Sequence, residues 1–345
     1  MPDTIASRRQ QLYERLDQAD AAPLWAVMAS LVTPQPRPRS VAAAWDYRRM
    51  RALLLEAGNL ITAKEAERRV LILENPGIRG LSQITQSLYA GLQMILPGEI
   101  APSHRHAAAA LRFVIEGEGA YTAVDGERIA MRPGDFILTP SWTFHDHGNG
   151  GEQPVIWLDG LDVPMVNLFD ASFAEAWPDG ETQRLTRPEG DALARYGSNM
   201  LPLEYRPAAS SPLFHYPYAG AKAALDRLEK SGPADPWHGI KLQYSNPASG
   251  GYPMPTMGAC LQKLAAGFCG RRYRSTDATV FCVKEGAGYS DIGDVRIAWQ
   301  AGDVFVAPSW AFLAHAARED AVLFSFSDRP AQKALGLWRE EYAAA

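Results

Sequence analysis

From Ser87 to Leu161 short apolar runs alternate with polar turn residues about every 8–12 positions, the rhythm of a β-sandwich or barrel. Pro97-Gly98, Gly117-Glu118-Gly119, Asp125-Gly126 and Pro133-Gly134-Asp135 mark the turns. Asp-Gly suits two consecutive positive φ angles, so Asp125-Gly126 predicts a type I′ hairpin between antiparallel runs at 121–124 and 128–131. Upstream, a Pro- and Arg-rich linker at 34–40 leads into helical periodicity over 45–58, closed by Gly58. Thr62 and Glu65 form a capping box that starts a helix over 63–69, running into a strand at 70–73 that Asn75-Pro76-Gly77 ends. Past Asp162 the strand rhythm is lost. Residues 166–255 read as Pro- and Gly-rich loops with one helix, 221–230, stopped by Gly232-Pro233.

The rhythm then returns as a copy. Glu116-Gly117-x-Gly119 matches Glu285-Gly286-x-Gly288 at an offset of 169, and Gly134-Asp135-Phe136 with Pro140-Ser141-Trp142 matches Gly302-Asp303-Val304 with Pro308-Ser309-Trp310 at 168. The one-residue difference is expected inside the hairpin, since turns tolerate deletion. Two related β-domains in tandem follow. Trp142 and Trp310 occupy the same repeat position, which makes them scaffold.

Composition narrows the class. With 47% apolar and 21% charged residues over 345 positions the chain is globular, and a net charge of −5 offers no field for nucleic acid. The longest apolar stretch, 21–32, contains Pro23 and Ser30 and falls short of the roughly 20 residues of a membrane span. Residues 1–20 carry Arg8, Arg9, Glu14, Arg15 and Asp17 with no apolar core or cleavage site, so a cytoplasmic protein is expected. Cys260, Cys269 and Cys282 lack CxxC spacing and read as small core residues.

Chemistry concentrates in histidine. Of seven in the chain, His104, His106, His145 and His147 fall within 44 residues. In Gly98-x5-His104-x-His106 a strand would send both imidazoles to one face. His145 follows in Gly134-x5-Pro140-x4-His145-x3-Asn149. Three neutral imidazoles suit Fe, Zn, Cu or Ni and leave coordination positions open. The second repeat has Tyr273, Ser275 and Leu313 at the corresponding positions and keeps only His315, matching His147, so it is expected to pack or assemble without metal.

Those two spacings resemble the cupin motifs, repeated in a bicupin. A cupin usually carries a Glu after a gap of three or four residues from its second His, where this chain has Ala110 and Leu111. That departure resembles the bicupin branch of gentisate 1,2-dioxygenases and their salicylate and 1-hydroxy-2-naphthoate relatives, which uses three His and no acid. The segments Glu67-Arg68-Arg69-Val70-Leu71, Ala90-Gly91-Leu92-Gln93, Ala110-Leu111-Arg112-Phe113, His145-Asp146-His147-Gly148-Asn149 and Trp157-Leu158-Asp159-Gly160-Leu161 look like that family, from about Trp45 through the second repeat.

The resemblance implies an all-β bicupin: two tandem double-stranded β-helix (jelly-roll) barrels with an N-terminal helical arm and short peripheral helices. The expected divisions are 1–85 for the arm and lead-in strand, 86–165 for a metal-binding barrel and 166–255 for a linker. A metal-free barrel follows at 256–330 and a C-terminal helix at 331–345. It implies one Fe(II) on His104, His106 and His145, with O2 as co-substrate. A small aromatic hydroxy acid would bind through carboxylate and phenolate, opening the ring of gentisate to maleylpyruvate.

Alternation alone leaves Arg112 on the surface or in the pocket; the resemblance favours the pocket, where its fork suits a carboxylate. Arg68 has a similar implied role, with Arg69 the alternative. Gln93 is expected to hydrogen-bond carboxylate or bound oxygen, and Tyr89 to contact substrate or fill the barrel core. His147 is placed beside substrate, and Asp159 either pairs with it to handle a 5-hydroxyl proton or caps the Gly160 turn. Salicylate or 1-hydroxy-2-naphthoate cleavage, a non-catalytic bicupin and a metal-dependent isomerase are the competing readings. The arm before Ile72 and the tail 331–342 are expected to cover sheet edges in trans, and the family implies a homotetramer.

Overall fold

The computed structural model describes residues 4–178, 180 and 182–343. The chain divides into two units, Met1–Arg37 and Pro38–Ala345. In the first, helices Ile5–Gln18 and Leu24–Leu31 are tied by Trp25 Nε1 donating to the Tyr13 hydroxyl at 3.1 Å, and neither helix has a buried residue.

The second unit contains two antiparallel barrels, each made of one six-stranded and one five-stranded sheet. In the first barrel the larger sheet runs in the spatial order His215–Tyr216, Phe136–Thr139, Ala110–Glu116, Val155–Leu161, Tyr89–Ile95, Arg69–Ile72. Its smaller sheet runs Ala174–Ala176, Ile100–His106, His145–Asn149, Ala120–Val124, Glu127–Ala130. The second barrel repeats that plan. Its sheets run Ala43–Trp45, Val304–Ala307, Thr279–Glu285, Ala321–Ser327, Gly258–Leu264, Ile240–Gln243, and Val295–Gln300, Ala287–Ile292, Leu313–Ala317, Tyr273–Ser275, Glu340–Tyr342. This is the double-stranded β-helix, twice. The barrels meet through their larger sheets, where Phe113 stacks on Phe324 at 4.2 Å and Gly160 leaves room for the Phe326 ring.

The end strands are exchanged between the barrels. Ala43–Trp45 precedes the first barrel yet pairs with Val304–Ala307 of the second, and His215–Tyr216 precedes the second yet pairs with Phe136–Thr139 of the first. Each is followed by a helix, Tyr47–Leu60 or Tyr218–Glu229. The Tyr47 amide donates to Asp303 Oδ1 and the Tyr218 amide to Asp135 Oδ1, both at 2.9 Å. Each tyrosine ring covers the neighbouring glycine, Gly302 or Gly134, where a Cβ would lie 2.5 Å from a ring carbon. The Gly-Asp pair repeated in the sequence is therefore the socket for the exchanged helix.

Several expectations change. Asp125 and Gly126 have φ of 49° and 78°, as the type I′ hairpin requires, with Val124 facing Glu127. The second repeat also has a two-residue hairpin, Ile292 facing Val295, so the one-residue deletion lies earlier, in the turn after Glu285. The capping-box helix spans only Ala63–Ala66, because Glu67 at φ 49° breaks it before the strand Arg69–Ile72. The supposed linker 166–255 supplies strands to both barrels. The C-terminal helix is limited to Arg329–Ala334; Gly336 at φ 71° reverses the chain and Glu340–Tyr342 pairs with Tyr273–Ser275. The tail strand Glu340–Tyr342 thus covers an edge of the chain's own second barrel. Among the described residues no helix is long and apolar enough to cross a membrane.

Candidate metal centre and substrate pocket

Strands Ile100–His106 and His145–Asn149 lie side by side in the smaller sheet, with His104 directly opposite His145. Strand alternation turns His104, His106, His145 and His147 toward the barrel interior. One ring nitrogen from each of His104, His106 and His145 lies within 4.8 Å of the others, the one such cluster of His, Cys, Asp or Glu among the described residues. His106 Nδ1 faces the Ala108 carbonyl at 2.7 Å and His145 Nδ1 faces the Thr143 carbonyl at 3.0 Å. A proton on those nitrogens satisfies both carbonyls and leaves each Nε2 lone pair free for a metal. His104 Nδ1 faces the Pro102 carbonyl at 3.4 Å, and the Arg68 guanidinium contacts both.

Burial is the main force on the titration of these rings. It pushes His104 down to about 3, with Arg68 and His106 adding to the effect, and lowers His106 as well. His145 and His147 are driven well below the usual imidazole range, first by burial and then by Arg112. All four are neutral at pH 7, the state a ligand requires. With no carboxylate in the set, the donors suit a divalent first-row metal that keeps its full charge for anionic oxygen ligands.

The triad lines a cavity of about 280 Å³ with His147, Arg68, Arg112, Gln93, Tyr89 and Asp159. That volume is near the lower end of small-molecule sites, roughly 300–1,000 Å³. Arg68 is the pocket arginine. Arg69 instead forms a paired salt bridge to Glu99 at 2.8 and 2.9 Å. Arg112, 3% exposed, donates to Thr139 Oγ1 at 2.6 Å, while its Nε stands 3.7 Å from Asp159 and has no hydrogen-bond partner. Asp159 accepts from Trp157 Nε1 at 2.9 Å and does not pair with His147, contrary to expectation. Burial pushes its carboxyl up to about 6 against the pull of Arg112 and Trp157. His147 keeps an unpartnered Nδ1 beside the Trp157 ring.

Two further segments complete the pocket unannounced by any motif: the loop residues Leu81, Ser82 and Gln83, and Val163, Pro164 and Asn167 of the short helix Val163–Leu168. Glu74 Oε1 accepts from the amides of Gly80 and Ser82, both at 2.9 Å, and holds the first in place. The only sequence sign of it is Ser82 in a polar break before Ile84. In the second barrel Tyr273 and Leu313 are buried apolar fillers, and His315 Nδ1 meets Ser290 Oγ at 2.7 Å. The scaffold reading of the paired tryptophans fits their geometry: each has positive φ, and each amide donates to the strand before it, Trp142 to His106 and Trp310 to Ser275, at 2.8 Å.

The family described as Cupin domain matches residues 91–161. The chain is 54% identical to "Gentisate 1,2 dioxygenase 1" of Aquipseudomonas alcaligenes over 97% of both chains. It is 37% identical to "Gentisate 1,2-dioxygenase" of a Streptomyces species over 98% of both. The crystal structure of salicylate 1,2-dioxygenase from Pseudoaminobacter salicylatoxidans with gentisate is similar at a TM-score of 0.93 and 33% identity, covering 100% of this chain and 96% of that one.

Proposed function

The chain belongs to the gentisate 1,2-dioxygenase family of ring-cleaving cupin dioxygenases, and we propose that it opens gentisate with O2 to maleylpyruvate using one iron(II) in its first barrel. The observation that carries this reading is the set of three neutral imidazoles, free of any carboxylate, facing a small cavity that also holds Arg112 and Gln93. His104, His106 and His145 would hold the ion, which when bound supplies the redox path between an electron-rich ring and O2. The fork of Arg112 would grip the substrate carboxylate, with Arg68 adding positive charge. Gln93, 4% exposed, orients the bound acid with its amide, and Tyr89 bounds the ring. Neutral His147, with its unpartnered nitrogen, would take the 5-hydroxyl proton. Asp159 keeps the Arg112 cation aligned.

Gentisate is favoured over salicylate because identity to a gentisate enzyme reaches 54%, against 33% for the salicylate enzyme. A homotetramer belongs to the same proposal, since the apolar helix Leu24–Leu31 has no buried residue in the single chain. A cytoplasmic location accords with the free thiols of Cys260, Cys269 and Cys282. Oxygen uptake by the anaerobically iron-loaded protein tests the assignment. Gentisate should give the highest kcat/KM among gentisate, salicylate and 1-hydroxy-2-naphthoate, and a preference for either of the others would overturn it.

A further inference from the structure

On the strand His145–Asn149 the rings of His145 and His147 face the barrel interior, so Asp146 between them faces the opposite side of the sheet. It is 1% exposed there, covered by Gln183 and the residues around it. Gln183, 6% exposed, is the centre of that covering. Its Nε2 lies 3.0 Å from Asp146 Oδ2, 3.1 Å from the Ala123 carbonyl and 3.2 Å from the Phe144 carbonyl. Its own amide donates to Asp146 Oδ2 at 3.2 Å, and its Oε1 accepts from the Gly126 amide at 2.7 Å. One side chain thus holds the residues on both sides of His145 and ties them to the neighbouring hairpin. Farther along, the Thr186 amide donates to the Gly126 carbonyl at 2.9 Å and Arg187 pairs with Asp125 at 2.6 Å, which fixes the segment in place.

The second barrel is an internal control. Ala314 stands where Asp146 does, and Leu313 stands where His145 does. The covering strand itself is kept, since Glu340–Tyr342 lies on Tyr273–Ser275 as Ala174–Ala176 lies on Ile100–His106. What is missing is the clamp: among the described residues no side chain donates to the equivalent carbonyls of Asp291 and Phe312. The feature therefore accompanies the imidazole cluster and not the fold.

We propose that Gln183 and Asp146 are positioning residues for the metal centre, clamping His145 from behind the sheet so that its ring is held in the geometry that completes the triad. The proposal rests on the reading of the triad as a metal site. A ligand held by fixed neighbours loses less freedom on binding metal, and disturbing such supports typically weakens metal affinity by roughly 10- to 100-fold.

Titration of the metal-free full-length chain with cobalt(II), followed by its visible absorption, reads affinity and ligand geometry without turnover. Gln183→Ala and Asp146→Ala should each weaken cobalt binding about tenfold or more and change the absorption band. Asp146→Asn, which keeps an acceptor oxygen for Gln183, should recover most of the affinity. Asp303→Ala, in the socket of the second barrel, should lower the melting temperature yet leave cobalt affinity and spectrum unchanged. Folded Gln183→Ala and Asp146→Ala proteins with the wild-type affinity and band would overturn the clamp, and should Gln183→Ala not fold, the pair Asp146→Ala and Asp146→Asn decides alone. A wild-type chain that binds no cobalt would instead overturn the metal site itself.

Discussion

Replacing Arg112 by methionine removes a guanidinium that is buried, bonded to Thr139 Oγ1 at 2.6 Å and beside Asp159 at 3.7 Å, while keeping a side chain of similar length. The loss to the substrate complex is one charge-assisted contact to a carboxylate, about 1.5–3 kcal/mol. At about 1.4 kcal/mol per tenfold, kcat/KM for gentisate should fall by roughly 10- to 150-fold. The fold should suffer less. Arg112 is the largest influence lowering the Asp159 pKa, so without it the carboxyl, already pushed up to about 6, rises further, which favours its neutral form over a stranded buried charge. Loss of the Thr139 contact should cost about 1 kcal/mol of stability. Oxygen-uptake kinetics beside a thermal melt separate these effects, and Arg112→Lys should restore charge but not the two-pronged grip. A folded, iron-loaded Arg112→Met protein with kcat/KM within twofold of wild type would refute the carboxylate role.

The Asp159 carboxyl, with its pKa about 6, protonates as pH falls through that value, so kcat/KM should have an acid limb near pH 6 that Asp159→Asn removes; an unchanged limb in that variant would assign it elsewhere. For stability the sign is reversed, because a carboxyl raised above the roughly 3.9 of an unfolded Asp binds more protons when folded. Its contribution is full below about pH 4 and is lost as pH rises through 6, which pH-dependent denaturation of wild type against Asp159→Asn would show. Asp303→Ala strips the acceptor from the Tyr47 amide at 2.9 Å and the Gln300 amide at 3.0 Å, and should destabilise the chain by about 1–3 kcal/mol in urea; no change would mean the exchanged helix is held by packing alone.

The parts of this site that were legible in the sequence are those carried by regular strands. His104 and His106 must share a face because strand alternation has a period of two, and His145 falls opposite His104 through the pairing of their strands. Arg68 and Arg69 were ambiguous because Glu67, at positive φ, turns the chain just before the strand begins and hides which arginine faces inward. The pocket walls at 81–83 and 163–167 left no pattern to read, because the first is irregular and the second lies on a helix of six residues, Val163–Leu168, too short to show a period. Exchange of Ala43–Trp45 and His215–Tyr216 was invisible because strands of three and two residues are too short to show alternation. The expected C-terminal helix over 331–345 stops at Ala334, because Gly336 is free to take positive φ and reverses the chain. The sequence leaves Asp159 between pairing with His147 and capping the Gly160 turn, and does not single out its donor, Trp157 Nε1, two residues back on the same strand face.

Iron content of anaerobically purified protein, measured for wild type and for His104→Ala, tests the central claim most directly. Wild type should hold one iron per chain and consume O2 with gentisate, while His104→Ala, folded by circular dichroism, should hold none and consume none. Full iron occupancy with turnover in His104→Ala, or turnover of gentisate by a metal-free wild-type chain, would contradict it.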